Sequence, residues 1–409
     1  MTSSEPVMLR AARWLTFGSA VAIIPSIAVS QILLALALAA LLMSGAKMRL
    51  PRIWLPLALF LAGTLLSLAF SSDPRAGLPQ VRKIFVFTML LVVFSTMRDM
   101  VVIRRLFLTW AGLGVIQAMR GFVQFGNKVR EAHAAGQGFY DYYVGERITG
   151  FTSHWMTFGG QEMIALLMIT AFLFFACISR KRFWLWLACG TIMGIALLLG
   201  FTRSIWVGSA GAGIYLLWFW RRWLAAALPA ALVVVFLFAP ASIHERFTSM
   251  LRPGKLDSNE HRIVTWRTGM QMIRAHPLLG LGPEEVNAQF QRWVPADISR
   301  PLPTGWYGHL HNIYLQYAAE RGIPTMLMMM WLLGQVLYDC LRRLWDLPPG
   351  RKDLKFVLHG AVAVVIAILI SGFFEYNLGD SEVLTMFLVV VGCAYSAMEV
   401  AGQGEPAVA

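Results

Sequence analysis

The chain has 409 residues, 57% of them hydrophobic and 14% charged, with a formal net charge of +13. Soluble globular domains carry about 25% charged residues, so this composition excludes an ordinary soluble domain and fits a protein whose solvent is a bilayer. The positive balance does not point to nucleic acid, because most basic residues stand singly or in twos and threes between apolar runs, the arrangement that orients membrane proteins.

Taken in chain order, the requirement of about 20 mostly apolar residues per crossing predicts spans near 13–29, 30–45, 53–70, 84–97, 106–122, 158–178, 183–200, 204–220, 223–239, 322–340, 356–376 and 384–400. The expected fold is therefore all-α and polytopic, with about 12 transmembrane helices. Arg10 and Arg13 precede an apolar stretch from about 14 to 45, too long for a secretory h-region of about 7–15 residues, so retained helices are expected there, interrupted by Pro25. Cys177, Cys189, Cys340 and Cys393 lie in or at the end of apolar runs without CxxC spacing and read as small buried hydrophobes, with no disulfide and no metal. The chain divides into residues 1–239 (nine spans and an outer loop at 123–157), 240–321 (a long outer segment) and 322–409 (three spans and a short tail).

Orientation follows from the basic connections. Lys47, Arg49 and Arg52; Arg98, Arg104 and Arg105; Arg180, Lys181 and Arg182; Arg221 and Arg222; and Arg342, Arg343, Arg351, Lys352 and Lys355, with Arg10 and Arg13, make 18 of the 35 Lys and Arg residues. Short, strongly basic loops face the cytoplasm, which places both termini inside and the 240–321 segment outside. That segment still carries Arg246, Arg252, Lys255, Arg262, Arg267, Arg274, Arg292, Arg300 and Arg321, an excess that points to an anionic ligand on the outer face.

There is no phosphate-loop motif, no HExxH and no pair of acidic residues at metal spacing. A reaction here would draw on an already activated substrate and work without a metal. Asn259–His276 reads as a helix with Ile263, Trp266, Met270 and Ile273 on one stripe, flanked by Arg262 on one side and by Arg267 and Arg274 on the other. That is the pattern of a helix in the membrane interface, whose arginines either snorkel to lipid phosphates or grip the phosphate of a specific lipid-linked substrate. Arg203, in the Thr202-Arg203-Ser204 turn at the outer junction of two spans, is a site candidate or an interfacial anchor. Arg147, in Glu146-Arg147-Ile148, carries the same two readings. His309 and His311, with Asn312 and Tyr314, form a polar turn leading into a span kinked near Gly322 and Pro324. A histidine above a span is either structural or a proton carrier near neutral pH.

At these residues the sequence resembles a known family. His311-Asn312, then nine residues, then Gly322 resembles the H-[NSQ]-x9-G motif of lipopolysaccharide O-antigen ligases and their O-antigen polymerase relatives. Arg262-x3-Trp266 followed by His276-Pro277-Leu278-Leu279-Gly280-Leu281-Gly282-Pro283 resembles the segment before that motif, and the Thr202-Arg203-Ser204 turn resembles a third family element. The resemblance implies a membrane-embedded (GT-C-like) inverting glycosyltransferase in the bacterial inner membrane, with a helical periplasmic subdomain and no cofactor. It implies an undecaprenyl-diphosphate-linked O-antigen donor, a sugar hydroxyl of lipid A–core as acceptor, and a site at the periplasmic face. Carried over motif by motif, Arg203 and Arg262 become the diphosphate clamp with Arg267 as helper, and His311 becomes the base or a group that orients the acceptor. Asn312, Tyr314, His309 and Arg147 become supporting or acceptor residues. The alternatives are an O-antigen polymerase, a protein O-oligosaccharyltransferase or, in a different class, an anion transporter. A transporter predicts mid-span charges and repeated helical hairpins, which the sequence does not display.

Overall fold

The computed structural model describes residues 6–238, 244, 258–303, 305–348 and 350–402. Arg246, Arg252 and Lys255 of the basic outer segment lie outside the described residues. Among those described, the regular structure is entirely helical. Twelve helices stand at the twelve expected spans: α1 (Val7–Ala22), α2 (Ile27–Met43), α3 (Trp54–Ala69), α5 (Ile84–Thr96), α6 (Met100–Ala134), α8 (Trp155–Phe175), α9 (Arg180–Leu199), α10 (Arg203–Trp220), α11 (Arg222–Leu237), α14 (Ile313–Trp345), α15 (Lys352–Ser371) and α16 (Ser381–Gly402). The connections hold α4 (Leu78–Arg82), α7 (Phe139–Gly145), α12 (Ser258–Ala275) and α13 (Glu285–Trp293). Among the described residues, seven helical stretches are long and apolar enough to cross a membrane, one of them α4 and α5 taken together, and α2 and α3 are shorter apolar helices.

A helix that is hydrophobic all round belongs in the interior, and the burial pattern follows that rule. In α8, α15 and α16, 78%, 78% and 83% of the apolar window is buried, against 17% in α9, so the first three form the centre and α9 turns an apolar face outward. Small residues let helices close up. The α1–α2 hairpin, with Pro25 in its turn, closes where Ser19 Oγ donates to Ser30 O at 2.7 Å. Three basic connections meet at one end of the bundle. Arg49 and Arg98 both pair with Glu399 near the end of α16, and Arg343 donates to Met398 O at 3.3 Å. We call the opposite end outer.

On the outer end a second, smaller apolar cluster joins Val264, Met272, Ile273, Leu281, Val286, Phe290 and Leu310 to Ala318 and Ala319 of α14. Here the interfacial stripe expected for α12 is corrected in part. Ile263 and Met270 are exposed, but Ile273 turns into this cluster because α13 supplies Val286 and Phe290 to cover it. Cys177 is exposed, against the expectation of burial, while Cys340 and Cys393 are buried and Cys189 is half-buried. The expected kink in the tenth span falls at Gly322, where α14 leaves helical geometry at φ 80°, ψ 160°.

That break explains why the two motif segments travel together. A helix interruption frees backbone groups that need partners. Leu281 N donates to Ala319 O at 2.8 Å, Gly282 N to Glu320 O at 2.9 Å, and Ile323 N to Pro277 O at 2.8 Å. The Pro277–Pro283 segment thus satisfies the broken helix directly. The contact is so close that a Cβ on Gly322 would lie 2.0 Å from Leu278 O, at a backbone conformation open only to glycine. Gly322→Ala is therefore expected to cost about 3 kcal/mol or more, read as a lower melting temperature in detergent. A wild-type melting curve would contradict this account of the crossing.

Candidate active site

Three segments converge at the outer end. α12 brings His261 and Arg262 in its first turn, the approach to α14 brings His309, His311 and Asn312, and the connection from α15 to α16 brings Glu375 and Tyr376. The local sequence fixes the approach to α14 firmly. Asn312 caps the helix, its Oδ1 accepting from Leu315 N at 2.9 Å, while its Nδ2 donates to Phe373 O at 3.0 Å. Ile313 N donates to Gly372 O at 2.8 Å, and Tyr314 OH donates to Leu369 O at 2.7 Å. These bonds clamp residues 312–314 to the end of α15 and set His311 opposite Glu375.

Glu375 is the centre of the cluster. Its Oε1 accepts from Arg262 Nη2 at 3.1 Å and its Oε2 lies 3.5 Å from His311 Nδ1. Arg262 Nη2 also donates to Phe374 O at 3.3 Å, and Trp266, one turn on, sets its ring 6.3 Å from that of Phe374. Burial alone would raise the Glu375 carboxyl, but His311 and Arg262 outweigh it and hold the group below the usual carboxylate range. Glu375 opposite Nδ1 places the imidazole proton there, so His311 Nε2 carries the lone pair. That nitrogen is buried with no hydrogen-bond partner. A buried polar atom left without a partner is a position a ligand can fill.

The backbone at His311 is left-handed, with φ 47°, an arrangement uncommon for a residue with a side chain and concentrated at functional sites. The turn is held by His311 N, which donates to His309 Nδ1 at 3.2 Å. Two neighbouring rings are kept neutral. Burial, reinforced by His311, lowers His309 to about 3 and His261 to about 4. Their centroids lie 4.0 and 5.2 Å from that of His311. His154, at the start of α8, accepts from Met156 N at 3.2 Å, and burial lowers it too, within electrostatic reach of Glu375 and Asp380.

The other residues singled out in the sequence fall around this cluster. Arg203 is buried at the first position of α10. Gly208 of α10 lies against Ala367 and Ser371 of α15, so Arg203, about 7.5 Å nearer the outer end, stands at the level of the 372–376 connection. Arg267 lies about 140° round α12 from Arg262 and pairs with exposed Asp297 at 2.6 Å, away from Glu375. Arg147 rests over the Trp155 ring at 5.0 Å and donates from Nε to Val144 O at 3.0 Å. Sequence reasoning missed Glu375, because it was placed inside a span at 356–376, whereas α15 ends at Ser371. An acid within a stretch otherwise apolar enough to be a span was the signal that could have found it.

The family model described as O-antigen ligase matches residues 188–330. That match supports membership of the O-antigen ligase superfamily. The matched part of the chain carries Arg203, Arg262, His311 and Gly322, the residues that crowd the outer end, and stops short of Glu375. A search of the curated proteins found no match.

Proposed function

We propose that the protein is an O-antigen ligase, a glycosyltransferase that moves a polysaccharide from undecaprenyl diphosphate to a sugar hydroxyl of lipid A–core at the periplasmic face of the inner membrane. The observation that carries this reading is the meeting of Arg262 and His311 on one buried carboxylate, within a family-matched chain of apolar helices. The chemistry needs two devices. The leaving group is a lipid diphosphate, so the oxygen that departs from the sugar C1 must have its growing charge met by fixed donors, which Arg262 and Arg203 supply as planar forks. The acceptor hydroxyl must lose its proton as its oxygen attacks C1, and His311 Nε2 is the free lone pair that takes it. The C1–O bond to phosphate breaks with its electron pair going to the diphosphate, and the new C1–O bond forms on the opposite face, which inverts the anomeric centre. Asn312 and Tyr314 hold the His311 turn, and the cytoplasmic placement of both termini follows from the basic connections gathered at the other end.

The closest competing chemistry uses the same donor with a second lipid-linked glycan as acceptor, as a polymerase does. Deletion separates the two. Without a ligase, long glycans remain on undecaprenyl diphosphate and lipid A–core runs bare on a lipopolysaccharide gel, which is the expected result. Lipid A–core carrying a single repeat unit would instead make the protein a polymerase.

A further inference from the structure

We propose that Glu375 is a positioning residue that ties donor binding to the strength of the base: it holds Arg262 while the site is empty, and the arriving diphosphate takes Arg262 away and leaves Glu375 on His311 alone. The inference rests on reading Arg262 as a diphosphate ligand and His311 as the base.

The geometry is that of a shared carboxylate. Each oxygen serves one partner, Oε1 the guanidinium at 3.1 Å and Oε2 the imidazole at 3.5 Å, and the group is only 7% exposed. Arg262 is not saturated by this arrangement. The same Nη2 serves Glu375 and Phe374 O, while Nε is buried without a partner. A diphosphate brings more negative charge than one carboxylate and several acceptor oxygens, so it competes well for the guanidinium fork. Once Arg262 no longer neutralises it, the Glu375 charge acts fully on His311 and favours the protonated imidazole that forms as the hydroxyl proton moves to Nε2. The other rings facing Glu375 do not substitute for Arg262, since His261, His309 and His154 are all held neutral by burial. Glu375 keeps its own charge throughout; the proton rests on His311. The base is thus strongest when the donor is in place.

An anchor that merely ties α12 to the 373–376 connection would behave differently on substitution. Glu375→Gln keeps the size and an acceptor oxygen but removes the charge. In the full chain purified in detergent, it is expected to bind undecaprenyl diphosphate about fivefold tighter, because Arg262 is released from its ion pair. Its rate of glycan transfer at saturating donor is expected to fall about a hundredfold. Weaker or unchanged binding of undecaprenyl diphosphate would overturn the proposal, as would an unchanged rate. The Arg262→Ala/Glu375→Gln double variant, which leaves neither charge without its partner, gives a second test. Compared with Arg262→Ala it should bind undecaprenyl diphosphate no tighter, and a tightening as large as in Glu375→Gln would show that Glu375 acts on the diphosphate directly and overturn the coupling through Arg262. Arg262→Ala alone that binds undecaprenyl diphosphate like wild type would remove the reading on which the proposal stands.

Discussion

Replacing His311 by Ala is expected to lower glycan transfer by about 10²–10⁴-fold while donor binding stays near wild type. The argument is geometric. Of the histidines gathered at the outer end, His311 is the one whose Nδ1 faces the Glu375 carboxylate, and its Nε2 is buried with no partner. His309 does a different job. Its Nδ1 accepts from His311 N and fixes the left-handed turn, so His309→Ala should lower activity less and should lower stability as well. Alanine at position 311 carries a small backbone cost of about 1 kcal/mol in that turn, and asparagine, which tolerates it better, provides the control. Both variants should insert, melt close to wild type and bind donor, and both should fail in transfer from extracted lipid-linked glycan to lipid A–core. Transfer near the wild-type rate in either would remove His311 from the proton step and shift attention to His309.

Arg262→Ala is expected to cost about 10²–10³ in transfer, with Lys recovering part of the loss. Arg262 sits at the first turn of α12, where it reaches Phe374 O and Glu375 Oε1 from one nitrogen and keeps Nε for another acceptor. Lysine preserves the charge but brings a point donor in place of the planar fork, so it should support weak transfer. The same order is expected at Arg203, which begins α10 at the level of the same connection. Transfer rates and undecaprenyl diphosphate affinity measured side by side check this. Equal losses for Ala and Lys would mean that fork geometry, and not charge, does the work. The pair at Arg267 and Asp297 is exposed on another face of α12, so Arg267→Ala should change transfer by less than about threefold.

Much of this architecture is legible in the sequence. Twelve apolar runs became twelve helices because hydrophobic length is the strongest signal a membrane protein carries. The break at Gly322 was readable from Gly and Pro in one span. What could not be read depends on contacts between distant segments. The pairing of Pro277–Pro283 with the broken turn of α14 uses backbone groups, which leave no mark in residue type beyond the glycines that permit it. Ile273 was assigned to the membrane interface because one stripe of α12 was apolar; nothing in that stripe reveals that α13 covers its end. Glu375 lies 113 residues from Arg262, and its importance is visible only once α12 and the approach to α14 bring Arg262 and His311 to its two oxygens.

The most direct measurement is transfer by the purified full chain in proteoliposomes containing undecaprenyl-diphosphate-linked glycan and lipid A–core, with a chelator present. The account predicts that glycan appears on lipid A–core as undecaprenyl diphosphate is released in equal amount, with the anomeric configuration inverted and without added metal. Glycan that lengthens on the lipid diphosphate while lipid A–core stays bare, or transfer that appears only when Mg²⁺ or Mn²⁺ is restored, would contradict it.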